Sequence, residues 1–101
     1  MSQNFNSKLE EKTIAKVLRT VDLLEQFGNK LGLPHSKKVR TSLFELRIRG
    51  QQEVRIFYIF KKGEIILLHG FIKKSQKTPS KELKQALKKM WNRLILKNII
   101  D

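Results

Sequence analysis

Residues 43–73, LFELRIRGQQEVRIFYIFKKGEIILLHGFIK, decide the fold. From Ser42 to Arg49 the residues alternate. Phe44, Leu46 and Ile48 point one way and Leu43, Glu45, Arg47 and Arg49 the other, which is the period of a half-buried strand. After Gly50 comes EVRIFYIF, dense in β-branched and aromatic side chains, and after Lys61-Lys62-Gly63 comes EIILLHGFI. Both later strands are apolar at nearly every position, so they are expected to be covered on both faces or to sit centrally. Connections of a few residues force hairpins, and the three strands read as an antiparallel meander.

Outward from this sheet lie two helical patterns. Ser7-x-x-Glu10 has the form of a capping box, and Ile14, Val17, Leu18, Val21 and Leu24 then share a helical face, widened by Leu23 and Phe27. The spacing predicts a helix over 8–27, stopped at Gly28. Between helix and sheet, GNKLGLPHSKKVRT, with its glycines and proline, reads as an irregular connection. Beyond the sheet, Thr78 is the expected N-cap and Pro79 the first residue of a helix over 79–97. Its apolar stripe is Leu83, Ala86, Leu87, Met90, Trp91 and Leu94, with Lys81, Lys84, Lys88, Lys89 and Arg93 largely off it. That stripe is expected to pack on the sheet rather than on a membrane or a partner helix. The tail residues Ile95, Leu96, Ile99 and Ile100 either close the core or offer a partner surface, and core closure is the expectation. Helix, strands, helix makes an α+β fold class, and 101 residues without repeat or linker make a single domain over 1–101.

Composition narrows function. At 40% hydrophobic and 31% charged, the chain has the material for a packed core and is no disordered basic tail. It has no cysteine and two histidines, which excludes a disulfide scaffold and thiol catalysis and leaves no basis for a zinc site. No cofactor or metal is expected. No apolar run has the length of a signal or a membrane span, so a cytoplasmic location is expected, with no membrane partner. The net charge of +13 is unevenly spread. Residues 1–34 are nearly balanced, while 35–62 carry eight basic and two acidic groups and 73–97 nine basic and one acidic. One basic face and a polyanionic partner, nucleic acid or an acidic protein, follow from that asymmetry.

There is no phosphate-binding glycine loop, carboxylate pair or metalloprotease helix. Cations on strands stand out instead. Glu45, Arg47 and Arg49 project to one side, and Arg55 joins them if the second strand shares the face. Arg55 interrupts an apolar strand, so it is sheltered and needs a partner. One reading pairs Glu45 with Arg55 or Arg47 as a structural salt bridge. The other makes these cations, with Lys73, Lys74 and Lys77 leaving the third strand, a phosphate site, since the planar guanidinium binds phosphate oxygens in pairs. His69, expected to point with Leu67 and Phe71, reads as a satisfied core histidine, and Tyr58 as core. His35 carries no pattern. The aromatics are not interleaved with the cations, so no base-stacking platform is indicated.

The run LPHSKKVRTSLFELRIRGQQEVRIFYIFKKGEIILLHGFIKKSQKTPSKELKQALKKM resembles the HigB-like, phage-derived branch of the RelE/ParE superfamily of toxins from bacterial toxin–antitoxin pairs, over about residues 5–92. The specific parts are LPHSKK, LFELRI, RIFYIF and LLHGFIKKSQKTP followed by a lysine-rich helix. The resemblance implies N-terminal helices packed on a twisted antiparallel sheet. It also implies a cytoplasmic toxin neutralised by a helix-turn-helix, HigA-like antitoxin, with operator DNA reached only through that complex. Many such toxins cut mRNA on the ribosome without a metal. The cations carried over are Arg47, Arg55, Lys73, Lys74 and Lys77. The expected catalytic set is Arg47, Arg55, Lys74, Lys77 and Glu45, and the expected RNA contacts are Lys37, Lys38, Arg49, Lys73 and Lys81. ParE-like relatives inhibit DNA gyrase instead, and a degenerate member would bind RNA and leave it intact. Two departures stand out. Relatives usually begin with a β-strand, whereas this chain enters near its helix with Phe5 and Leu9. Several ribonuclease members also carry a C-terminal His or Tyr, and none follows His69 here.

Overall fold

The computed structural model describes residues 9–75 and 77–96, with side chains followed as far as Leu94. Helix α1 (Glu11–Phe27) leads into four strands, β1 (Ser36–Arg40), β2 (Leu43–Ile48), β3 (Glu53–Lys61) and β4 (Glu64–Lys73). Helix α2 (Ser80–Trp91) follows, and its last turn loosens into a π-helical turn over Asn92–Leu96. The strands pair in sequence order as an antiparallel meander. The α+β class is as the sequence implied, with one strand more than the three that its alternation marks.

The extra strand is β1, inside the segment expected to be an irregular connection. Only its first residue is buried, and Lys37, Lys38, Val39 and Arg40 are exposed. An edge strand of that kind has no apolar period to detect. It is fixed from below instead, through a hydrogen bond between the hydroxyls of Ser36 and Tyr58. Burial raises the Tyr58 hydroxyl above its ordinary value, against the Ser36 bond, so the group stays neutral in the core.

At the centre of the sheet β3 has six consecutive buried residues, Val54 to Ile59. The β3–β4 hairpin turns on Lys62 and Gly63, with φ of 52° and 79°. Two positive φ values match the right-handed twist of the flanking strands, and glycine takes the second at no steric cost. β4 satisfies neither expectation for it. It is an edge strand, covered at Ile65 and Ile66 but with Leu67 47% exposed. A bulge explains the departure. Phe57 pairs with His69 but Tyr58 with Leu67, so Leu68 is an inserted residue. His69 therefore shares a face with Leu68 and Phe71, and Leu67 points to the other.

Each sheet face carries one helix. Against α1 lie Leu46, Ile48, Val54, Ile56 and Tyr58, packed with Leu24, Val17 and Val21. Against α2 lie Leu43, Phe57, Ile59, Leu68 and Phe71, packed with Ala86, Leu83, Leu87 and Met90. Each fully buried Leu, Ile or Phe stabilises the fold by roughly 1.5–3 kcal/mol, so both layers matter. β2 is thus covered on both faces at its start, where Leu43 and Glu45 were expected to face outward.

Both helices differ in detail from the sequence reading. α1 starts at Glu11, and the Ser7 of the expected capping box lies outside the described residues, as does Phe5. Its buried stripe runs through Thr13, Val17, Thr20 and Leu24, leaving Ile14 38% and Leu18 61% exposed. Thr20 tolerates burial because its hydroxyl donates to the Lys16 carbonyl at 2.7 Å. In α2 the cap position is Pro79, one residue later than expected, and the Thr78 hydroxyl donates to Glu45 rather than to the helix. The side chains of Ile95 and Leu96, and all of Ile99 and Ile100, lie outside the described structure. Among the described residues no helix is long and apolar enough to cross a membrane.

Candidate functional site

The register builds the site. On the α2 face, Lys37 lies across from Glu45 and Glu45 from Phe57. In the next row Arg47 lies across from Arg55 and Arg55 from Phe71, and in the last row Glu53 lies across from Lys73. Because α2 begins only at Ser80, its apolar stripe covers Phe57 and Phe71 and stops short of the arginine end of the face, where Arg47 and Lys73 border a hollow and Arg55 is buried beneath it. Two arginines directly opposite each other in a sheet repel. Nothing in the packing of a sheet requires that arrangement.

Arg55 is 2% exposed. Its Nη1 donates to the Val54 carbonyl at 3.0 Å and its Nη2 to Glu53 Oε1 at 3.2 Å. Arg47 Nε lies 3.5 Å from Glu45 Oε1 without hydrogen-bond geometry. The Nε atoms of both arginines are thus buried and make no hydrogen bond. Glu45, almost buried, accepts the Thr78 hydroxyl at 3.2 Å, which ties the start of α2 to the sheet. Burial would raise the Glu53 carboxyl, but the Gly50 N–H at 3.1 Å and the charges of Arg55 and Arg49 outweigh it. They hold the group below its usual value, ionised and committed to Arg55.

Around these groups runs an open basic trough. One part, about 530 Å³, is lined by Arg47, Arg49, Glu53, Arg55, Lys73, Lys74 and Ser75. The other, about 350 Å³, is lined by Lys37, Lys38, Glu45, Arg47, Lys73, Lys77 and Thr78, with Val39, Phe57 and Leu83. Arg47 and Lys73 belong to both parts. The trough brings together nine of the ten residues nominated from the sequence. Lys81 lines neither part and stands exposed on α2. Of the two structural pairings weighed for Glu45, the structure has the one with Arg47, and Arg55 takes Glu53 instead. Glu53 was missed by the sequence reading, although two residues apart on one strand is the spacing that puts side chains on one side.

His69 lies outside the trough, under α2. Its Nε2 is 2.6 Å from Glu82 Oε1 and its Nδ1 3.3 Å from Lys89 Nζ, so it is satisfied as expected, though by charged groups of α2 rather than within an apolar core. Among the described residues no three His, Asp or Glu side chains gather closely enough to hold a metal. The donors that converge are guanidinium and ammonium groups, which suit an anion with several oxygens. Arginine forks fix such an anion's orientation, and lysines adjust to it as mobile point charges.

Among curated proteins no match to the chain is found. The family model for phage-derived Gp49-like proteins, in contrast, matches residues 4–91, which spans both helices, all four strands and the whole trough. The chain belongs to the phage-derived Gp49-like family, which is related to the RelE and HigB types of toxin.

Proposed function

We propose that this protein is the toxin of a toxin–antitoxin pair, of the HigB-like branch, and that it acts as a cytoplasmic, metal-independent endoribonuclease on mRNA held by the ribosome. The observation that carries this reading is the opposed pair Arg47 and Arg55, each with a buried, unbonded Nε, at the head of a lysine-lined trough. A protein selected only for stability gains nothing from that pair. A polyanion with phosphate oxygens to share between two forks makes it favourable.

Cleavage of RNA without a metal uses the substrate's own 2′-hydroxyl against the adjacent phosphorus. The enzyme must take that proton, stabilise charge growing on the phosphoryl oxygens and return a proton to the leaving 5′-oxygen. Arg47 and Arg55 hold the scissile phosphate. Lys74 and Lys77, exposed at the trough's rim, stabilise the developing charge and move protons to and from the reacting oxygens. Glu45, bound by Thr78 and beside Arg47, orients that guanidinium. Lys37, Lys38, Arg49 and Lys73 carry neighbouring phosphates, with Lys81 further out on α2. The partner that silences the site is a HigA-like helix-turn-helix antitoxin with an acidic segment complementary to the trough.

Primer extension on a translated mRNA, with and without programmed ribosomes, tests the reading. Discrete ribosome-dependent cuts that disappear with Lys74→Ala and Arg47→Ala are expected. No cuts from folded protein, together with inhibition of gyrase supercoiling, would replace the nuclease with a gyrase inhibitor.

A further inference from the structure

The trough does not end at Arg47 and Arg49. Past Ser36 the β1 side of strand β2 is held by one further backbone bond, from the Arg47 N–H to the His35 carbonyl at 2.8 Å, and Arg49 beyond it is exposed. Beside these residues lies a second hollow of about 350 Å³, between α1 and the Pro34–His35 segment. It again includes Arg47 and Arg49 and adds Lys16 and Arg19, both exposed on α1. The interior is of a different kind. Leu23, Pro34 and Ile48 make it mainly apolar, with cations at the mouth. Lys16 is also fixed to this segment, its Nζ donating to the Arg49 carbonyl at 3.3 Å.

An apolar floor with cations at its mouth and an arginine shared with a phosphate trough is the chemistry of a nucleotide subsite. The apolar floor takes the base and the rim takes the phosphate that leads to it. Resting on the proposed RNA-binding role of the trough, we propose that this hollow holds one nucleotide flanking the phosphate bound at Arg47 and Arg55, with Arg19 and Lys16 on its phosphate and Leu23 and Pro34 against its base. The strand reaches the hollow by passing over Arg49. The occupant is a continuation of the same RNA, because the two depressions share Arg47 and Arg49 and both are rimmed by cations.

Fluorescence anisotropy of the full chain with 2′-O-methylated RNAs, which lack the nucleophile and stay intact, tests this at two lengths. A trimer fits the trough alone, and an octamer reaches both sites. Arg19→Ala is expected to weaken the octamer about 3- to 10-fold and to leave the trimer unchanged, with the octamer's salt slope falling by about 0.7, one phosphate contact on a single strand. Leu23→Ala should abolish the cost of replacing one octamer nucleotide by an abasic one. Lys84→Ala, on the exposed side of α2, is the control. If Lys74→Ala weakens the octamer and Arg19→Ala behaves like Lys84→Ala, the hollow holds no nucleotide and the inference falls while the trough stands. If neither Lys74→Ala nor Arg19→Ala matters, the trough reading falls with it.

Discussion

Replacing Arg55 by Met should raise stability while abolishing function. The side chain is 2% exposed, faces Arg47 across the strands and leaves its Nε unbonded. A buried unsatisfied N–H costs about 1–3 kcal/mol and directly opposed like charges about 0.2–1 kcal/mol, and both costs vanish with methionine. Lost in exchange are the bond to the Val54 carbonyl and the ion pair with Glu53, the latter nominally about 1.5–3 kcal/mol for a charged hydrogen bond. That loss must be discounted, since Glu53 is 34% exposed and keeps the Gly50 N–H and the nearby charge of Arg49. The two sides roughly cancel. Extra apolar contact beside Phe57 and Phe71 then leaves a net gain of about 1 kcal/mol, or about 4–8 °C in Tm for a domain of this size. Removing one partner of a fully buried ion pair has the opposite sign, and the gain here depends on Glu53 being 34% exposed, so that water solvates the carboxylate left behind. Thermal melts of Arg55→Met beside wild type, with ribosome-dependent primer extension on the same preparations, read both quantities. A fall in Tm of several degrees would show that Arg55 is held for structure, and undiminished cleavage would remove it from the chemistry.

Glu53→Gln should flatten the acid side of the stability curve. The native state lowers this carboxyl from its ordinary 4.5, so its contribution is complete above about that pH and is lost as the pH falls through the lower folded value. Melts from pH 3 to 6 in which wild type and variant lose stability in parallel would count against the Arg55 pairing. Glu82→Gln should cost about 1–2 kcal/mol, about 4–16 °C in Tm, because His69 is left under α2 with Lys89 and no carboxylate. A variant melting within 1 °C of wild type would show the pair to be idle. Lys77→Ala should weaken binding of intact RNA evenly across sequences and reduce the salt slope by about 0.7, and a change confined to one sequence would point to base contact instead.

What could be read from the chain, and what could not, follows the physics of each segment. β2 and β3 announce themselves because one or both faces are buried and the side chains alternate accordingly. β1 was invisible, since a strand with one buried residue and four exposed ones has no period. The bulge at Leu68 was equally hidden, and it overturned the orientation of Leu67 relative to His69. Inserting one residue changes the parity of everything after it, and nothing in an unbroken run of Ile and Leu marks where that happens. The stripe of α1 was misread because threonine is polar by type yet buries readily once its hydroxyl bonds back to the helix. The cations were legible as a cluster because period two places Glu45 and Arg47 together, but their pairing depended on register. The sequence leaves Glu45 open to Arg55 or Arg47, and the register gives Glu45 to Arg47 and Arg55 to Glu53.

The same register argument says why the site sits where it does. In an antiparallel meander, residues from strands distant in sequence line up in rows, and a helix laid over one face covers some rows and not others. Here α2 enters late and stops short of the rows of Arg47–Arg55 and Glu53–Lys73, so Arg47 and Lys73 line open space while Arg55 stays buried among its neighbours, and the pairing with β1 ends before Arg49. Charge then collects at that end for a reason separate from folding. The carboxylates lining the trough, Glu45 and Glu53, each lie beside one arginine and across the strands from one lysine, Lys37 and Lys73, and two carboxylates offset the eight cations lining it only in part. The local field is positive and is not cancelled within the chain. A polyanion that fills the trough supplies the missing charge, and an acidic antitoxin segment competes for the same field. Substrate and inhibitor therefore act through one electrostatic feature, and raising the salt concentration should weaken both together.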